Sequence, residues 1–143
     1  MKHQSLIYYF AYGYNTWSEG MSGRGHHSPP VGKAVLHDFK LEFAKHADIT
    51  EAEGESMEGV LWLITPEVLE MLDLFEGYPT YYIRREVNVQ VGDDMVEAIV
   101  YQMRDRCREL LPPTEGYENV LRMGYEEHGL DTLAIDKAIE ACY

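Results

Sequence analysis

The stretch Met57-Glu58-Gly59-Val60-Leu61-Trp62-Leu63-Ile64-Thr65-Pro66-Glu67-Val68-Leu69-Glu70-Met71-Leu72-Asp73-Leu74-Phe75-Glu76-Gly77 changes period halfway along. Up to Ile64 the bulky residues Val60, Trp62 and Ile64 fall at every second position, the repeat of a strand. Beyond Thr65 the apolar residues Val68, Leu69, Leu72 and Phe75 recur at three and four, the repeat of a helix with one apolar stripe. The junction carries its own signals. Thr65 can cap with its side-chain oxygen, Pro66 suits the first helical turn, and Glu67 complements the helix dipole. Gly77 is a natural stop, so the pattern predicts a strand over 57–64 followed by a helix over 66–76.

Working outward, 6–13 is dense in Tyr, Phe and Ile and ends at a glycine, as a largely buried strand that delivers the turn Tyr12-Gly13-Tyr14-Asn15. Residues 16–30 are rich in Gly, Ser, His and Pro and predict an irregular, mobile loop. Residues 34–43, with Val35, Phe39, Leu41 and Phe43, predict a second strand, separated from the third by an acidic loop over 50–56. Downstream, 81–91 and 96–101 flank Gly92-Asp93-Asp94 as a hairpin. A helix over 117–128 gathers Tyr117, Val120, Leu121, Gly124 and Tyr125 on one side. Asp131 is placed to cap a last helix with the stripe Ile135, Ala138, Ile139 and Cys142. Strands in consecutive runs with helices after the third and at the end predict an α+β fold, a small curved or barrel-like mixed sheet with flanking helices. At 143 residues the expectation is one domain over 1–143.

Composition narrows the function classes. Hydrophobic residues at 45% and charged residues at 26% are ordinary globular values. The longest apolar runs, Leu6 to Ala11 and Val60 to Ile64, fall far short of the ~20 residues of a membrane helix. The start of the chain has a single Lys2 and no apolar region ending in small residues, so the expected location is the cytoplasm, without a membrane partner. A formal net charge of −13 repels phosphate at long range and argues against nucleic acid. Cys107 and Cys142 show neither a disulfide framework nor metal-ligand spacing and read as free thiols. His26-His27 has no partner at ligand spacing, and Gly23-Arg24-Gly25 lacks the strand and helix of a phosphate cradle, so no metal and no cofactor are expected. Oligomeric state is not legible.

Chemistry concentrates at the end of the 66–76 helix. Glu76 lies four residues beyond Leu72 and seven beyond Leu69, on the apolar side. A carboxylate at a helix C-terminus opposes the macrodipole, and burial disfavours its charge; both raise its pKa towards the range of a proton-transfer residue. Asp73 is expected at a solvated helix position or in a loop hydrogen bond.

Phe10-Ala11-Tyr12-Gly13-Tyr14-Asn15 resembles the FAYGSN turn, and Leu72-Asp73-Leu74-Phe75-Glu76-Gly77 the LDxxEG segment, of the γ-glutamylcyclotransferase-like (AIG2-like) family. Leu36 to Phe43, Glu58 to Trp62, Pro112-Pro113 and Met123 to Leu130 extend the likeness over nearly the whole chain. The resemblance implies a lyase that cyclises a γ-glutamyl amide to 5-oxoproline and releases an amine or amino acid, with no cofactor and a small γ-glutamyl molecule as its partner. It implies Glu76 as the catalytic acid/base, the backbone of Tyr12, Gly13, Tyr14 and Asn15 as the anchor of the γ-glutamyl group, and Tyr82, Tyr101 and Tyr117 as pocket walls. Tyr14 stands where the family has serine. Two alternatives remain at this point: a γ-glutamylamine cyclotransferase, suggested by Phe75-Glu76-Gly77-Tyr78-Pro79, and a non-catalytic binding module on the same fold.

Overall fold

The structure, a computed structural model, describes residues 5–25, 28–104 and 109–143. Lys2, His26, His27 and Cys107 lie outside the described residues.

Five strands close into a barrel in the order β1-β3-β2-β4-β5. Strand β1 (Ile7–Ala11) pairs antiparallel with β3 (His46–Ile64), from Ile7 opposite Ile64 to Ala11 opposite Val60. Strand β2 (Pro30–Ala44) forms a long hairpin with β3, and β4 (Tyr82–Val91) a hairpin with β5 (Asp94–Met103). Closure is made by β2 against β4, Val35 opposite Gln90, and by the parallel meeting of β5 with β1 at Tyr9 and Ile99. Both faces of β1 are covered, so Tyr9, Phe10, Ala11 and the following Tyr12 are all buried. The expected α+β barrel with flanking helices is the observed architecture.

Helix α2 (Pro66–Glu76) has the bounds its local signals dictate. Thr65 Oγ1 accepts from Val68 N at 3.2 Å, a cap worth about 1 kcal/mol. Gly77 ends the helix in the left-handed conformation, φ 68°, where a Cβ would be strained. Val68, Leu69 and Leu72 are the buried stripe. Phe75, expected in that stripe, is 51% exposed, its ring turned onto a charged neighbour instead of the core.

Two expectations about loops are corrected. The span 16–30 is not irregular throughout: a 3₁₀ turn (Tyr14–Thr16) leads into a short helix α1 (Ser18–Gly25). Its glycines argue against a helix, and tertiary contacts supply what propensity does not. Met21 is buried, and the Ser18 N–H at its start donates to Glu127 Oε1 at 3.0 Å. The acidic run 50–56 is not a loop between strands but lies inside β3. There the pairing passes from Glu51 opposite Phe39 to Ser56 opposite His37, bulging around Asp38 at φ 65°. Asp38 Oδ1 accepts from the Gly54 N–H at 3.0 Å, and beyond the bulge the inward residues of β2 change from Ala34 and Leu36 to Phe39, Leu41 and Phe43.

At the C-terminal side, helix α3 (Glu115–Glu127) is capped by Thr114, and α4 (Leu133–Glu140) follows with Thr132 at its N-cap. The expected cap, Asp131, serves from one position earlier, accepting from Leu133 N at 3.0 Å. Cys142 falls just past α4 and is a half-buried free thiol.

Candidate active site

The end of β1 runs into the turn at residues 12–15, which is pinned from three sides. Thr16 Oγ1 donates to the Gly13 carbonyl at 2.7 Å, Trp62 Nε1 from β3 to the Asn15 carbonyl at 2.9 Å, and Tyr125 OH from α3 to the Tyr12 carbonyl at 2.7 Å. The C-terminus of α2 arrives opposite, and the two enclose a cavity of about 530 Å³, roomy enough for a small metabolite. Tyr12, Gly13, Tyr14, Asn15, Glu76, Tyr82, Tyr101 and Tyr117, separated by up to 105 positions in the chain, all line it.

Glu76 Oε1 accepts from Asn15 Nδ2 at 3.2 Å and lies 3.5 Å from Arg24 Nη1. Its side chain is 15% exposed. Burial pushes the carboxyl up from an ordinary 4.5 to about 7, against the opposing pull of Arg24 and of the Asn15 hydrogen bond. Asn15 itself is buried; its amide also donates to Tyr9 OH at 2.9 Å, while its Oδ1 has no donor among the described residues.

The three tyrosines differ in what their hydroxyls do. Tyr82 OH donates to the Ala47 carbonyl at 2.6 Å, and Tyr101 OH to Asp73 Oδ1 at 2.7 Å. Asp73 is therefore not a solvated position but the acceptor that fixes a pocket wall, with Arg84 Nε 3.7 Å away. Tyr117 OH instead accepts, from Ala47 N at 3.1 Å, which leaves its own proton to offer. Burial, the leading cause for each, pushes all three phenols up, so they are neutral hydrogen-bonding groups and not bases.

Tyr9, His46, Ala47 and Tyr81 line the cavity without a sequence signal for it, and Arg24, set aside in the sequence as part of an unsupported phosphate cradle, lines it too. His46 Nδ1 is 2.9 Å from Tyr81 OH, and burial, then Lys45 and Arg24, hold its pKa below the ordinary value. Arg24 had a faint signal: it is the only Lys or Arg between Lys2 and Lys33. Among the described residues no group of His, Cys, Asp and Glu is arranged to hold a metal, and no helix is long and apolar enough to cross a membrane.

Residues 9–119 match the model of the family described as "Gamma-glutamyl cyclotransferase, AIG2-like". This chain belongs to that family. It is 32% identical to the γ-glutamylcyclotransferase of Bos taurus over 136 residues, covering 85% of this chain and 71% of that protein. Identity to the γ-glutamylcyclotransferase of Homo sapiens is 31% over 137 residues, with the same coverage. A solved structure described as "Gamma-glutamyl cyclotransferase" superposes with a TM-score of 0.83 at 28% identity, over 94% of this chain and 86% of that one. The γ-glutamylcyclotransferase barrel is thus the observed fold, and the chain is an enzyme of this family.

Proposed function

We propose that this enzyme converts a γ-glutamyl amide to 5-oxoproline and a free amine or amino acid, with Glu76 carrying the proton in both directions. The observation that carries the reading is a carboxyl titrating at about 7 in the wall of a cavity that the family's turn also lines. Near neutral pH such a group is nearly as able to accept a proton as to return it, the condition for efficient general acid–base catalysis.

The steps balance without a co-reactant. The substrate α-ammonium gives a proton to the Glu76 carboxylate. The freed nitrogen attacks the γ-carbonyl carbon, forming the ring C–N bond and a tetrahedral oxyanion. The oxyanion collapses, the original amide C–N bond breaks and the departing nitrogen takes the proton from Glu76, which then accepts the second proton of the ring nitrogen and passes it to the released amine, leaving a neutral lactam, an ammonium and the carboxylate. Because nucleophile and electrophile belong to one molecule, the protein's task is to hold the chain folded. The backbone N–H groups of the 12–15 turn, with the Tyr117 hydroxyl, offer donors for the carboxylate and the oxyanion.

A panel of γ-glutamyl amino acids and γ-glutamyl alkylamines incubated with the purified protein tests this directly. Release of 5-oxoproline from at least one class is expected; binding of γ-glutamyl ligands with no turnover of any would replace the reading with a binding module.

A further inference from the structure

We propose that Arg24 is a positioning residue for Glu76, held against its carboxylate by an aromatic clamp made of Tyr14 and Phe75. The proposal rests on Glu76 being the proton carrier.

The guanidinium carbon of Arg24 lies 3.9 Å from the Tyr14 ring centroid and 4.9 Å from that of Phe75. Stacked on two rings, the side chain loses most of its rotamers, and its Nη1 rests 3.5 Å from Glu76 Oε1 at 21% exposure. The clamp is itself supported. Trp17 packs edge-on against Tyr14 with centroids 6.0 Å apart, and a Cβ on Gly20 would come within 2.7 Å of the Tyr14 ring. Position 20 must therefore stay small for Tyr14 to lie where it does. A serine at position 14 would leave Arg24 with one ring instead of two. The clamp also accounts for the half-exposed Phe75 beside the acidic group: its ring covers a cation and not the core.

The groups facing Glu76 make Arg24 the decisive charge. Tyr9 from β1, Tyr82 from β4, Tyr101 from β5 and Tyr117 from α3 are phenols kept neutral by burial, as is Tyr12. His46 from β3 has its protonation disfavoured by burial, and Asp73 on α2 is engaged with Tyr101 and Arg84. Among the described residues Arg24 is the only Lys or Arg in the lining. Burial favours the protonated, base-incompetent carboxyl; the clamped guanidinium opposes it and keeps a usable fraction ionised near neutrality.

The test reads two curves in each protein: kcat/KM for 5-oxoproline release against pH, and the ¹³C titration of the Glu76 carboxyl in the substrate-free state. Arg24→Gln is expected to raise both the acid limb and the titration midpoint by about one pH unit or more. Arg24→Lys should restore most of the shift because the charge returns. Tyr14→Ser and Phe75→Leu should move both curves the same way by less, and they carry the comparison if Arg24→Gln does not fold. Midpoints unchanged in all variants would overturn the proposal. So would a rise in KM with both curves unmoved, which would make Arg24 a substrate contact. A titration that shifts while the acid limb stays put would uphold the coupling and instead remove Glu76 from its proposed catalytic role.

Discussion

A carboxyl titrating at about 7 in the folded protein and near 4.5 when exposed costs stability wherever it is ionised. The folded state holds its proton over that interval while the unfolded chain has released it. Stability therefore falls as pH rises through 4.5 to about 7, and the full cost persists above. Glu76→Gln removes the charge but keeps the shape, so the variant should melt higher than wild type at about pH 8 and no higher below about pH 4. The ceiling is on the order of 3 kcal/mol, reduced by leaving Arg24 without its carboxylate. Thermal melts at both pH values check it; an equal or lower melting point at the higher pH would mean that burial is not straining this group. Among the tyrosines, Tyr82→Phe deprives the Ala47 carbonyl of its 2.6 Å donor and should cost about 1–3 kcal/mol with little effect on turnover. Tyr117→Phe removes the hydroxyl with a spare proton and should lower kcat/KM as well. Denaturation and kinetics on the pair separate the roles, and the reverse pattern would exchange them.

At the scale of elements, α2 was legible because its determinants are local. A cap, a proline, an apolar stripe and a stop glycine occupy consecutive positions, and they place Glu76 at the last helical residue. Gly77→Ala forces a Cβ into φ 68° and to 3.1 Å from Tyr81 Cβ, and should cost about 1 kcal/mol. Because Glu76 adjoins that cap, kcat should fall by more than the lost stability explains; unaltered kcat with the expected destabilisation would show that the carboxylate is positioned from elsewhere. Elements held by distant partners were not legible. Helix α1 exists in spite of Gly20, Gly23 and Gly25 because Met21 is buried and Glu127 accepts from its first N–H, neither of which a local pattern displays. Likewise the acidic stretch of β3 has a loop's composition, and it is carried within the strand by the pairing with β2 on either side of it, at Glu51 and Ser56. Arg24 was passed over for the same reason: its segment carried no recognisable element on which to place it.

Across the whole molecule, strand number and the placement of α2, α3 and α4 followed from the order of periodic segments, but barrel closure did not. The parallel meeting of β1 with β5 joins Tyr9 to Ile99, a pairing no hairpin signal announces. That closure is what assembles the site, bringing Tyr9 and the 12–15 turn against Tyr101, Tyr82 and the end of α2. Site residues carried by the family motifs were thus nameable in advance, whereas those set by the shape of the barrel, Asp73 as an acceptor and Arg24 and His46 as lining, needed the fold. The whole arrangement converges on one carboxylate, so the most direct measurement is 5-oxoproline release by Glu76→Gln alongside its affinity for a γ-glutamyl ligand. Turnover should drop by the ~10²–10⁴-fold typical of a lost general base while affinity persists. Retained 5-oxoproline release by a folded Glu76→Gln protein would contradict the account.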